Sequence, residues 1–428
     1  MLMTKTPQKI NARLLLVCTV AFSVGLSMAW ISIGKFALFV FGLAFLVWRY
    51  FIAPQKGSDT FLEAPHYATR AVLLSLAAFA VSLLWTTADI EDSVGSIAKY
   101  GKLLTILLIP LLLKNRQEVI YAIVVFVTAQ LFLVSSSWLL FFGVRLPWAT
   151  AVGATSQFAV FSTYLDQGVI SATVAAICWH LRGLAPGKFG RQIFIGIGLL
   201  CMLNVLFVLI GRTGHAVIIV LLSMAAMWRL PKKYRWTVVA LPVVFLALAM
   251  ASSSKVRDRT TQVASEIKAF SKGEGRSIVS GTSSGVRLQF WQRSMQSISE
   301  SPILGSGVGS WGNEYNRVEK NVNPAGALAN KRGNPHQEYL LWGVQLGVIG
   351  ILLFVALLAA IFRDTLNADE PSSRAAQSVL AALAISCLFN SSVYDALIGD
   401  FFCVALGLML ALAASSLPPV KEPIAAAA

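Results

Sequence analysis

Five side chains in this sequence have the types needed to do chemistry together. His336 stands in Pro335-His336-Gln337-Glu338-Tyr339-Leu340, Arg287 ends Ser283-Ser284-Gly285-Val286-Arg287, and Arg212 lies in Gly211-Arg212-Thr213-Gly214-His215. Arg145 and Asp395 complete the set. A neutral imidazole takes a proton from a hydroxyl, which is the work of a general base. A guanidinium presents a planar fork of donors that matches two phosphate oxygens. Several cations and one base on a common face would suit a hydroxyl nucleophile attacking a centre that leaves as a diphosphate. Each residue also has a plainer reading alone: Arg212 as an arginine snorkelling at a helix end, His336 as a surface histidine at a helix start.

The elements that must position these residues are apolar. Of the 428 residues, 56% are hydrophobic and 13% charged, against about 25% charged in soluble domains, and the mean hydropathy is +0.70. Apolar runs near the ~20 residues needed to span a bilayer recur along the whole length. They are continuous rather than alternating, which excludes a membrane β-barrel. The expected fold is therefore all-α and polytopic, with about twelve transmembrane helices near residues 12–31, 34–52, 70–88, 97–113, 118–142, 157–180, 192–210, 213–229, 236–252, 336–362, 375–394 and 399–416. Nine spans fall in 1–252, a long polar segment occupies 253–335, and three spans fall in 336–428. Lys5, Lys9 and Arg13 before the first apolar run resemble a signal peptide and are read as an uncleaved anchor.

The net charge is +15. Its cations sit mainly in short connections, as membrane topology requires, so nucleic-acid binding is not indicated. Lys56, Lys114, Arg116, Arg182, Lys188, Arg191, Arg229, Lys232, Lys233, Arg235, Arg363 and Arg374 fall on one side, which the positive-inside rule makes cytoplasmic. Arg145, Arg212, the 253–335 segment, His336 and Asp395 then share the opposite, outer face. In the outer segment Val256, Val263, Ile267 and Phe270 suggest one surface helix, and Leu288, Trp291, Met295 and Ile298 a second. Ser283 or Ser284 could cap the second, and Ser301-Pro302 would stop it.

Local signals sharpen the reading. Thr213 could cap the span after Gly211, leaving backbone N–H groups beside Arg212, an arrangement suited to phosphate. Asn334 could cap the span that follows it, with Pro335 at its first position. That would put His336 in the first turn, where the helix dipole disfavours a protonated ring. Gly305-Ser306-Gly307-Val308-Gly309 follows an amphipathic helix rather than a strand and reads as a turn, not a nucleotide loop. Asp89, Glu91 and Asp92 could hold a hard cation, although a solvated loop is the commoner outcome. All five cysteines fall in apolar runs and read as core residues, without the spacing of a metal site. Gly343, Gly347 and Gly350 would permit close helix approach.

The Ser-Ser-Gly-Val-Arg287 pattern, the Pro302-Ile303-Leu304-Gly305-Ser306-Gly307 turn, Pro335-His336-Gln337-Glu338-Tyr339-Leu340 with Gly343 and Gly347-Val348-Ile349-Gly350, and Gly211-Arg212-Thr213-Gly214 resemble the O-antigen ligase and polymerase superfamily of bacterial envelopes. Many members carry His-Asn-Glu-Tyr where this chain has His336-Gln337-Glu338-Tyr339; Gln keeps the amide. The chain is most similar to the O-antigen ligases. That resemblance implies a glycan donor on undecaprenyl diphosphate and a lipid A-core sugar as acceptor. It places the reaction at the periplasmic face of the inner membrane, without ATP, cofactor or metal. His336 would be the base and Arg212 and Arg287 the diphosphate ligands, with Arg145 in support and inversion at the anomeric carbon. Asp395 would either orient His336 or pair with an arginine. Other readings are an O-antigen polymerase, a protein O-oligosaccharyltransferase and, from a different class, a lipid or glycan transporter. A transporter more often places its ionisable residues at the midplane of inverted repeats, and no clear repeat is visible. Oligomeric state is left open.

Overall fold

A computed structural model describes residues 11–52, 61–185, 187–252, 283–322 and 333–417, together with Arg257, Thr261 and Ser265. All regular structure among them is helical. The helices are α1 (Ala12–Ser23), α2 (Met28–Val47), α3 (His66–Val81), α4 (Ile90–Gly101), α5 (Leu104–Leu112), α6 (Arg116–Phe141), α7 (Ala154–Gln157), α8 (Tyr164–Leu181), α9 (Gly187–Leu203), α10 (Arg212–Arg229), α11 (Leu241–Ser252), α12 (Ser283–Glu300), α13 (Trp311–Val322), α14 (Glu338–Asp364), α15 (Glu370–Ser386) and α16 (Ala396–Ala414). Seven helical stretches among the described residues are long and apolar enough to cross a membrane. The protein is an all-α polytopic membrane protein.

At the centre stands α16, buried along almost its whole length against α5, α6 and α15. A second group packs around α8, which touches α9, α10 and α15. The contact between α8 and α10 is set by glycine: a Cβ on Gly214 would lie 2.9 Å from the Gly168 backbone, so only Gly lets these helices meet there. α3 packs along α14. α12 and α13 form a helical pair over the bundle end, joined by the buried Arg293–Glu319 ion pair at 2.7 Å and the Trp311 indole donating to Ser294.

Several boundaries differ from the sequence expectation. The first break falls at Val24–Ser27, not near 31–34, because Gly25 takes a left-handed φ of 82° and the Ser27 hydroxyl caps α2 by accepting from the Trp30 amide. Arg13, read as a leader cation, is buried in a two-pronged ion pair with Glu118 and also donates to the Leu112 carbonyl. The span expected at 97–113 begins at Ile90 and is divided at Lys102–Leu103 into α4 and α5. The one expected at 157–180 begins at Tyr164, and the one at 375–394 stops at Ser386, leaving a turn that runs to Asp395.

On α12 the face turned inward carries Phe290, Arg293, Ser294 and Ser297. The expected stripe is rotated away from it: Met295 is exposed, while Trp291 and Ile298 only partly pack on the core. The reason is polar, since Arg293, Ser294 and Ser297 all bond to α13 or the residue that opens it. α12 does stop at Glu300, before Ser301-Pro302. It starts at Ser283, so the cap and the helix expected through Val256, Val263, Ile267 and Phe270 lie outside the described residues.

Candidate active site

α14 carries the element that builds the site. It is broken at Gly347, whose φ of 65° and ψ of −153° only glycine adopts readily. The break strands backbone groups that the 302–309 turn satisfies. Val348 N–H donates to the Pro302 carbonyl, while Ser306 and Gly307 N–H groups donate to Val344 and Gln345. A Cβ on Gly305 would fall 2.5 Å from the Gly347 nitrogen, so the two glycines lock the turn to the broken helix. The Gly-rich stretch is thus a turn, as its sequence context indicated. Gly347 is a helix interruption rather than a smooth contact face.

His336 lies outside α14, not in its first turn. The cap is Gln337, whose side chain accepts from the Leu340 amide at 2.6 Å, and α14 starts at Glu338. His336 itself adopts a left-handed φ of 52°. A side-chain net holds it. Its backbone N–H donates to Asn334 Oδ1 at 2.9 Å, and Asn334 Nδ2 donates to Asp395 Oδ1 at 2.8 Å. Its Nδ1 lies 3.2 Å from Asn390 Oδ1. A carbonyl oxygen only accepts, so in the neutral ring Nδ1 carries the proton and Nε2 keeps its lone pair. The ring stacks on Phe290 of α12, with centroids 6.1 Å apart.

Asp395 precedes the first residue of the central helix α16. Burial pushes its carboxyl above the usual carboxylate range, against the pull of His336, Lys102 and the Asn334 hydrogen bond. Two further residues hold its turn. Glu338 is fully buried and accepts the amides of Val393 and Tyr394 at 2.9 and 3.1 Å, together with the Trp342 indole N–H. Lys102, at the α4–α5 break, donates its ammonium to the Asp395 carbonyl at 2.7 Å. The Glu of the His-Gln-Glu-Tyr motif therefore fixes the 393–395 turn against His336.

A cavity of about 410 Å³ opens here. His336, Asn390, Asp395, Asp166 and Arg287 give it polar walls, and Met28, Phe161, Leu165 and Leu397 give it an apolar one. Asp166 was not singled out from the sequence. Its signal was Thr163, whose hydroxyl caps α8 by accepting the Asp166 amide three residues on.

Arg287 reaches the cavity from α12, half-buried. Burial, and next the charge of Arg212, pull its guanidinium below the ordinary value, with Tyr164 acting the other way. Arg212 is the exposed first residue of α10. Thr213 is not the cap; it is buried inside the helix, and Gly211 holds the cap position without a side-chain bond. The reason is steric, since a Cβ on Gly211 would lie 3.1 Å from the Tyr164 carbonyl. Gly211 and Gly214 thus dock α10 on the start of α8, where the charge of Arg212 acts on Arg287 although Arg212 does not line the cavity. His215 bonds through Nδ1 to the Gly211 carbonyl of its own helix. Arg145 is exposed in the loop after α6 and does not line the cavity. Asp89 immediately precedes α4, and Glu91 and Asp92 lie in its first turn, where carboxylates suit the helix dipole. Among the described residues no group of three His, Cys, Asp or Glu side chains is placed to hold a metal.

The arrangement joins an imidazole with an available Nε2, two neighbouring guanidiniums and an apolar wall. That combination can bind an amphipathic anion and take a proton from a hydroxyl beside it. Comparison with curated proteins gives no match. Residues 197–355 match the family model described as O-antigen ligase, a span that contains Arg212, Arg287, the 302–309 turn, His336 and the Gly347 break. Over that stretch, which carries most of the motifs, the chain is similar to the O-antigen ligases.

Proposed function

We propose that the protein transfers an O-antigen glycan from undecaprenyl diphosphate to a sugar hydroxyl of lipid A-core, at the periplasmic face of the bacterial inner membrane. The observation that carries this reading is the meeting of His336 and Arg287 in one cavity, with Arg212 beside Arg287. In this reading Arg212 and Arg287 bind the diphosphate and stabilise its charge as it leaves. The acceptor oxygen forms a bond to the anomeric carbon while the bond from that carbon to the diphosphate oxygen breaks. His336 Nε2 receives the hydroxyl proton, and undecaprenyl diphosphate departs. Attack opposite the leaving group inverts the anomeric centre. Asp395 acts through Asn334 to orient His336, and the apolar wall takes the first part of the lipid. Arg145 would meet the donor outside the cavity.

The test is a product assay with purified protein, labelled lipid-linked glycan and lipid A-core, followed by gel. Label transferred to the core is the expected result. Longer donor chains would make the protein a polymerase, labelled protein an oligosaccharyltransferase, and movement without a new bond a transporter. Arg212→Lys and Arg287→Lys keep the charge but lose the fork, so both should transfer more slowly. Full activity in both would remove the arginines from the mechanism.

A further inference from the structure

The opposite end of the bundle holds a second cavity, of about 420 Å³, between α8, α9 and α10. It touches α8 at Ala175–His180, while the first cavity touches α8 at Leu165 and Asp166, so roughly 18 Å of helix separates their centres at 1.5 Å per residue. Small residues create it: Ala175 and Ala176 on α8 face Ala225 and Ala226 on α10. Most of its wall is apolar, and its rim residues Trp179 and Leu199 are 39% and 48% exposed.

Positive charge gathers next to it. Arg182 follows the last residue of α8, and Arg229 ends α10 and lines the cavity. Both guanidiniums sit over the Trp179 ring, 4.0 and 5.9 Å from its centroid. His180 lies edge-on to Trp228 at 5.0 Å, and Trp228 carries Arg374 at 5.5 Å. Arg374 is paired with Glu370. Among the described residues no acid forms an ion pair with Arg182 or Arg229.

We propose that this cavity takes one acyl chain of an anionic glycerophospholipid, whose headgroup phosphate rests against Arg182 and Arg229. An acyl chain fills an apolar void that water leaves dry, and a phosphate offsets two like charges held together. Basic pockets between transmembrane helices recognise anionic headgroups on these grounds. A zwitterionic lipid would bring its own ammonium towards the guanidiniums. Cations that only set topology need neither a cavity nor tryptophan platforms.

The test is native mass spectrometry of the detergent-purified full chain with phosphatidylglycerol or phosphatidylcholine of identical acyl composition, and with an uncharged polyprenol. Phosphatidylglycerol should be retained in preference to both. Arg182→Gln/Arg229→Gln should weaken its retention about tenfold, the loss of one or two charged hydrogen bonds. Ala225→Phe should weaken it comparably with both arginines intact, and Ala176→Phe serves if that variant does not fold. Equal retention of the two phospholipids, preference for the polyprenol, or unchanged retention in either folded variant would overturn the proposal.

Discussion

His336 acts as a base only if its ring is held with Nε2 towards the acceptor, and the hold is polar. Asn390 fixes Nδ1, and Asn334 ties the backbone to Asp395. Asn390→Leu should therefore fold, keep donor KM, and lose about tenfold in kcat, the worth of one hydrogen bond that fixes the ring. Steady-state kinetics on the two substrates would check this split. Asp395 makes a pH prediction. Its folded carboxyl titrates above the value near 3.9 expected for an unfolded chain. Between those values the folded protein holds a proton that the unfolded chain has released, so stability falls as pH rises through the window. Asp395→Asn should flatten that fall, read as thermal midpoints in detergent from about pH 4 upward. At this scale His336, Arg287 and Asp395, which line one cavity, and Arg212, which does not, were visible as candidates because ionisable groups are scarce in an apolar chain. Asn334 as an orienting group, Asn390, Asp166, Lys102 and the role of Glu338 were not. Most of their partners lie tens to hundreds of residues away or act through backbone atoms, and only the Thr163 cap before Asp166 is a local signal.

Helices here position chemistry by where they stop. The break at Gly347 would be read as ordinary helix from hydropathy, since the residues on both sides are uniformly apolar. What reveals it is the chain from 302 to 309, which supplies bonding partners to the freed backbone groups. Gly347→Ala puts a Cβ 2.4 Å from the Ile303 carbonyl carbon in a conformation that L residues avoid. It should cost at least about 1–3 kcal/mol, seen as a lower thermal midpoint and reduced yield. Capping misled the reading twice. Thr213 and Asn334 were sensible caps by type, yet the glycine contact of α10 with α8 and the side chain of Gln337 decided the helix starts. The apolar stripe expected on α12 packs only in part, because a buried arginine and two serines are what face α13.

Across the whole molecule, polar cross-links tie the apolar helices into one frame. Lys35 of α2 grips both carboxylate oxygens of Asp400 on the central helix at 2.7 Å. Asp400→Asn leaves a half-buried ammonium without its partner and should cost about 3–5 kcal/mol. Lys35→Met with Asp400→Leu should recover most of that, measured as unfolding in detergent. The fold class was plain from continuous apolar runs. Which helices enclose which was not legible, because lipid-facing and protein-facing positions are alike in hydrophobicity.

In the proposed reaction one imidazole and two guanidiniums act together on a lipid diphosphate. The most direct measurement pairs donor binding with transfer for purified His336→Ala. Binding close to wild type and transfer reduced by ~10²–10⁴ are expected, while Arg212→Ala/Arg287→Ala should lose the binding itself. Wild-type transfer by His336→Ala, or undiminished donor binding by the double arginine variant, would contradict the proposal.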